Sequence, residues 1–165
     1  MIKKFLKIGK RKDNPNIIDA NKNPPPIGTK DNRQYFRVDA EIPICLVSVP
    51  QGALYCGYCQ DMESNIPYKD MITQEVNISG GGLYTLWRHP FDIGSHVAVF
   101  MILKGIKEDG LVVCGEVVRC QKIGKYYGIA LRFLCRRDFK RNLILKFVTE
   151  RERELIAKGK IGWIR

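Results

Sequence analysis

Two polar clusters carry the groups in this chain best suited to holding a ligand. In Arg33-Gln34-Tyr35-Phe36-Arg37, two guanidinium groups stand four residues apart ahead of a strand-like segment. That spacing puts both on one side of the chain whether the segment is extended or helical. A guanidinium is planar and permanently charged, grips phosphate through two parallel donors, and stacks on flat rings. It also matches the O6/N7 edge of guanine. The second cluster, Asn77-Ile78-Ser79-Gly80-Gly81-Gly82, joins short side chains that bond a ligand edge or their own backbone to three glycines. Such glycines permit positive φ and leave no Cβ to hold off a bound base. The turn can equally be a hairpin whose Asn77 and Ser79 satisfy local amides, and a turn of that kind can still serve as a binding wall. The pair of clusters points to gripping a small, planar, doubly anionic molecule without transforming it, and two arginines could hold both the phosphates and the bases of a guanine nucleotide.

Other chemistries find little material. The chain shows no Ser-His-Asp set, no Walker phosphate loop and no metal-ligand array, so no catalytic residue and no metal are expected. Cys56-Gly57-Tyr58-Cys59 has redox spacing, but a thiol-redox motif opens a helix in a βαβ setting that is missing here. Structural zinc wants four ligands, whereas the chain offers only His89 and His96 beside one close cysteine pair. The segment reads as a plain loop or strand pair.

The elements that must position the clusters are mostly strands. Val38, Ala40, Ile42, Ile44 and Leu46 alternate with Asp39, Glu41, Pro43 and Cys45, the period of a half-buried strand. Further strands are expected over 72–78, 83–86, 97–103, 111–120 and 126–133. Turn chemistry separates them at Gly80–Gly82, Asp92–Gly94, Lys107–Gly110 and Ile123–Lys125. Short strands with tight connections predict an antiparallel barrel or sandwich. After Asp138, a predicted N-cap, the period changes to that of a helix, with Phe139, Leu143, Ile144, Phe147, Val148, Leu155 and Ile156 on its apolar stripe. Glu154 and Lys158 are spaced as an ion pair, and Gly159 ends the pattern.

At 165 residues and 45% apolar composition, the chain supports one core without a staple. Its net charge of +11 favours anionic partners. The six cysteines are scattered through strand-like segments, without the density of a secreted scaffold, and no secretory signal stands out. A cytoplasmic location is therefore expected. Residues 1–31 read as a basic, Pro-rich leader, with Lys3, Lys4, Lys7, Lys10, Arg11 and Lys12 at its head and Pro24–Pro26 near its end. A short amphipathic helix on lipid is the lesser reading of that head.

In combination the two clusters resemble the PilZ family of cyclic di-GMP receptors, marked by Arg-x-x-x-Arg followed by Asp/Asn-x-Ser-x-x-Gly. Gly115-Glu116-Val117-Val118-Arg119 is similar to the family's Gly-x-Val-x-Arg strand, and Tyr127–Phe133 to its closing strand. The resemblance implies a mainly β fold: a six-stranded antiparallel barrel over 32–137 with a C-terminal helix over 138–159 packed on it. It implies a bacterial effector that binds cyclic di-GMP as a ligand, with no cofactor. Arg33 and Arg37 would contact phosphate and guanine, Asn77 and Ser79 the guanine edge, and Gly82 would keep the turn tight. Ligand would order the junction ahead of the barrel and change the face shown to an unidentified protein partner. Two departures stand out. Leu54–Met71 is longer than the usual spacing and reads as an inserted hairpin or loop, and Asn32 precedes the arginine pair where many members carry arginine or an apolar residue.

Two alternatives have other chemistry. A small basic barrel binding single-stranded nucleic acid would use Tyr55, Tyr58, Tyr68, Tyr84, Trp87, Tyr126 and Tyr127 as stacking platforms. A PilZ-like adaptor without ligand is the other, and the intact arginines argue against it. No nucleic-acid partner is expected on the main reading.

Overall fold

The computed structural model describes residues 36–50, 55–134 and 138–160. The leader expected over 1–31, and with it Arg33, lies outside them. Every strand expected from alternation is present: β1 (Arg37–Ser48), β2 (Ile72–Ser79), β3 (Gly82–Trp87), β4 (His96–Leu103), β5 (Lys107–Ile123) and β6 (Tyr126–Phe133). All neighbours pair antiparallel, in the order β1-β2-β3-β6-β5-β4, and β4 pairs back onto β1 to close a barrel. Closure leaves no edge strand to template aggregation.

Alternation sorts the two faces. Val38, Ala40, Ile42, Ile44 and Leu46 of β1 point inward to meet Ile78, Val99, Val113 and Ile129, all nearly inaccessible to solvent. Each large aliphatic buried this way contributes about 1.5–3 kcal/mol.

The β4–β5 turn departs from expectation. It falls at Lys104–Ile106, where Gly105 carries φ +79° and the Ile106 N–H reaches the Leu103 carbonyl at 3.0 Å. Lys107–Gly110, read as the turn, instead begins β5. The charged run there is exposed strand, which polarity alone does not distinguish from a turn.

The stretch read as an inserted hairpin or loop is helical. It forms α1 (Tyr55–Met62) and a single 3₁₀ turn at Tyr68–Asp70. A segment as short as α1 is not stable as an isolated helix and depends on tertiary packing. Cys59, Tyr58, Met62 and Ile66 pack over Ala98 and Phe100 of β4 and Val112 and Cys114 of β5, residues on the barrel's outer face. That cover explains why β4 is apolar on both faces and reads as a continuous run in sequence.

α2 (Asp138–Ala157) sends Ile144 and Val148 into the interior cluster, with Leu143, Phe147 and Leu155 packed against it. Phe139, placed on the stripe by its spacing, is 65% exposed, and Glu154 pairs with Arg151 at 2.9 Å. Near the start of α2, Lys140 is buried. Its ammonium donates to the Val112 carbonyl at 2.7 Å and to Glu63 Oε1 at 2.5 Å, tying α2, β5 and the end of α1 together. The helix closes as expected at Gly159, which has φ +67°. The Gly159 N–H bonds the Ile156 carbonyl and the Lys160 N–H the Leu155 carbonyl, both at 2.9 Å, a Schellman arrangement.

Candidate functional site

The barrel brings residues of both clusters onto one outer face. Across β1 and β2, Arg37 stands opposite Ser79 and Asp39 opposite Asn77. Across β2 and β3, Ser79 stands opposite Gly82 and Asn77 opposite Tyr84. β6 continues both rows, with Arg132 opposite Gly82 and Ala130 opposite Tyr84. β5 completes them, with Glu116 opposite Arg132 and Arg119 opposite Ala130. One row therefore reads Arg37, Ser79, Gly82, Arg132, Glu116 and the next Asp39, Asn77, Tyr84, Ala130, Arg119. Directly opposed residues on a sheet face lie about 4.5–5.5 Å apart at Cβ, so each row forms a continuous wall.

The turn between β2 and β3 is held by its own serine. Ser79 is 2% exposed, accepts the Gly81 N–H at 3.2 Å and donates to the Gly82 carbonyl at 3.4 Å. The Phe133 N–H, in turn, bonds the Gly81 carbonyl at 2.9 Å, anchoring the turn to the end of β6. Gly82 owes its identity to close approach rather than to positive φ. A Cβ there would collide with the Leu131 carbonyl oxygen of β6.

Asn77 is also engaged. Its Nδ2 donates to Asp39 Oδ1 at 2.8 Å. That bond takes one of the two amide hydrogens and fixes the orientation of the side-chain oxygen, an acceptor. Arg37 is half-buried at the start of β1. Its partner arginine, Arg33, falls outside the described residues.

Two further residues belong to this face. The Arg119 guanidinium carbon lies 5.6 Å from the centre of the Tyr84 ring, a cation–π arrangement. Arg119 Nε is buried and has no hydrogen-bond partner among the described residues. The two are far apart in sequence, and the register shift between Val117 and Arg119 turns Arg119 toward Ala130. The signal available in sequence was the match of Arg119 to the Gly-x-Val-x-Arg strand, while Tyr84 stood only among the seven candidate stacking rings. Arg132, also on the rows, is paired with Glu116 at 3.0 Å.

The cysteines lie elsewhere. Cys59 is buried on the barrel-facing side of α1, where a hydrogen bond from the Cys114 thiol lowers its pKa despite burial. The Cys45 thiol on β1 is pushed up by burial. No group of three or more His, Cys, Asp or Glu side chains suited to a metal occurs among the described residues. No helix among them is long and apolar enough to cross a membrane.

Comparison with known proteins agrees with this architecture. The model of the PilZ domain family matches residues 31–150. No curated protein matches the sequence. Among solved structures, a pathogenic protein from Xanthomonas campestris with a tetrameric PilZ domain assembled through a helical bundle is 12% identical. That match covers 74% of this chain and 91% of that one, with a TM-score of 0.57. The Bacillus subtilis inhibitor of motility MotI/DgrA is 16% identical over 74% of this chain and 52% of its own, with a TM-score of 0.53. The PilZ domain of Escherichia coli YcgR with c-di-GMP is 15% identical over 79% of this chain and 99% of its own, with a TM-score of 0.50. At these identities the likeness is one of fold.

Proposed function

The chain belongs to the PilZ domain family, and on that premise we propose that it is a receptor that binds cyclic di-GMP and does not turn it over. The observation that carries this reading is the rung where Arg37 faces Ser79, one step from the rung where Asp39 faces Asn77. Residues distant in sequence thereby share one wall suited to an anionic, base-bearing ligand. Arg37, with Arg33, supplies charge-assisted bonds to phosphate and the guanine O6/N7 edge. Asn77, its amide nitrogen held by Asp39, offers its oxygen to guanine N–H donors. Ser79 shapes the turn, and Gly82 keeps β3 flat against β6. The Tyr84–Arg119 pair supplies a plane on which a base can stack.

In this reading the protein is an effector. Ligand held by Arg33 as well as Arg37 fixes the chain ahead of β1 and changes the surface offered to a protein partner. The site combines hydrogen-bond donors with stacking planes, the equipment of a binding protein.

Calorimetry tests the assignment. Wild-type protein is expected to bind cyclic di-GMP and to ignore GTP and GMP at the same concentration. Arg33→Ala or Arg37→Ala should each remove about 1.5–3 kcal/mol, a loss of roughly 10- to 150-fold in affinity. Wild-type affinity surviving both substitutions would exclude the site. The same titration gives the stoichiometry.

A further inference from the structure

A cavity of about 950 Å³ lies between α2, the outer wall of β1 and β2, and the β4–β5 turn. Six carboxylates line it: Asp39, Glu41, Glu75, Glu108, Glu150 and Glu154. Three cations, Lys104, Arg151 and Lys160, share the lining, and Arg151 is already committed to Glu154 at 2.9 Å and to the Asp39 carbonyl at 3.5 Å. Negative charge is thus concentrated in one groove of a chain whose net charge is +11. Glu41 and Glu75 stand directly opposite each other across β1 and β2, where like charges destabilise a sheet. Phe147 and Leu155, both half-buried against the core, add apolar lining.

We propose that this groove docks a lysine- or arginine-rich amphipathic segment of a partner protein, and that ligand at the neighbouring site tightens the docking. Long cationic side chains lay their methylene stems on apolar surface while the charged heads meet carboxylates. Such an occupant relieves the Glu41–Glu75 repulsion that the free protein carries. The occupant's chemistry follows from charge complementarity, which also speeds encounter and rejects anionic competitors.

The coupling rests on the receptor reading above and runs through Asp39, which belongs to both places. Its Oδ1 accepts from Asn77, and its side of β1 lines the groove. A guanine held by Asn77 immobilises that amide, and with it the Asp39 carboxylate, whose Oδ2 remains for a cation in the groove. Linkage then requires the docked segment to tighten ligand binding by the same factor.

The test uses full-length protein and a fluorescein-labelled amphipathic peptide of alternating lysine and leucine, followed by anisotropy. Wild type binds it, and the double variant Glu41→Gln/Glu75→Gln binds about tenfold more weakly, whereas Asp61→Asn on the exposed side of α1 has no effect. Thermal melting of the double variant keeps the result interpretable. Removal of the like-charge pair should raise Tm, so weaker binding would not reflect unfolding. Undiminished peptide binding by the double variant overturns the proposal. So does sedimentation showing that wild type self-associates through these carboxylates, because the occupant is then a second copy of this chain. Saturating cyclic di-GMP should tighten peptide binding about fivefold, whereas GTP at the same concentration, which the receptor reading expects the protein to ignore, should leave it unchanged. If cyclic di-GMP does not bind at all, the receptor reading fails while the peptide titration still decides the groove. If it binds and peptide affinity does not move, the coupling is wrong.

Discussion

Asn77 and Asp39 face each other across β1 and β2, joined by an amide-to-carboxylate hydrogen bond of 2.8 Å. One belongs to the polar turn cluster and the other lies outside both clusters, so the carboxylate acts as an orienter of its neighbour. Asp39→Ala frees the Asn77 amide to rotate. Cyclic di-GMP affinity should fall by about 0.5–1.5 kcal/mol, the scale of a single hydrogen bond, and by less than in Asn77→Ala. Calorimetry of both variants checks the order, and equal affinity in wild type and Asp39→Ala would remove the orienting role.

Arg119 should matter to ligand affinity without being needed for folding. Arg119→Ala removes the cation from the Tyr84 face, for an expected loss of about 0.5–2 kcal/mol in binding. Tyr84→Leu should lose a similar amount, and the double variant less than the sum, because the two act as one plane. An additive double-mutant cycle would separate them.

Gly82→Ala should destabilise the barrel itself. The new Cβ meets the Leu131 carbonyl oxygen, a backbone atom that a side-chain rotation cannot clear. Forced repacking of this kind is worth about 1–3 kcal/mol, visible as a lower urea midpoint. Ligand binding would weaken with it, since β3 can no longer lie flat on β6. An unchanged midpoint would mean the strands have room to part.

Lys140→Ala is expected to be among the more damaging changes in α2. It leaves the Val112 carbonyl without its donor and the Glu63 carboxylate without its cation. An unsatisfied buried acceptor is worth about 1–3 kcal/mol. Restoration of stability by Lys140→Arg, and not by Lys140→Met, would distinguish the lost bonds from lost packing.

Salt separates the receptor reading from nucleic-acid binding. Affinity for cyclic di-GMP, with two phosphates, should fall only shallowly between low and moderate KCl. A single-stranded nucleic acid neutralised at many phosphates would lose affinity steeply through counterion release. A steep slope for an oligonucleotide, with no response to cyclic di-GMP, would favour the other reading.

Much of the fold was legible because its signals are local. The two-residue alternation of Val38 to Leu46 and its counterparts marks strands with one face buried, and helical spacing followed by Gly159 marks α2 and its end. Family-level matching needed only the two clusters in order. Other features exist solely as contacts between elements. α1 has no pattern of its own strong enough to predict a helix, and it folds because Phe100 and Val112 present an apolar outer face to cover. Glycine and charge mark turns well but not their register, and the β4–β5 turn lies a few residues ahead of the Lys107–Gly110 signal.

The sequence by itself determined which segments alternate, where the final helix runs, and that arginine, asparagine and serine of the right types accompany a glycine turn. These follow from backbone periodicity and side-chain chemistry, which act over a few neighbouring residues. The tertiary structure alone decided that Arg37 meets Ser79, that Asp39 holds Asn77, that Arg119 lies over Tyr84, and that Lys140 is buried. Those pairings depend on strand order, on a register shift in β5 and on closure of the barrel. Each is a relation between distant segments that no local pattern contains.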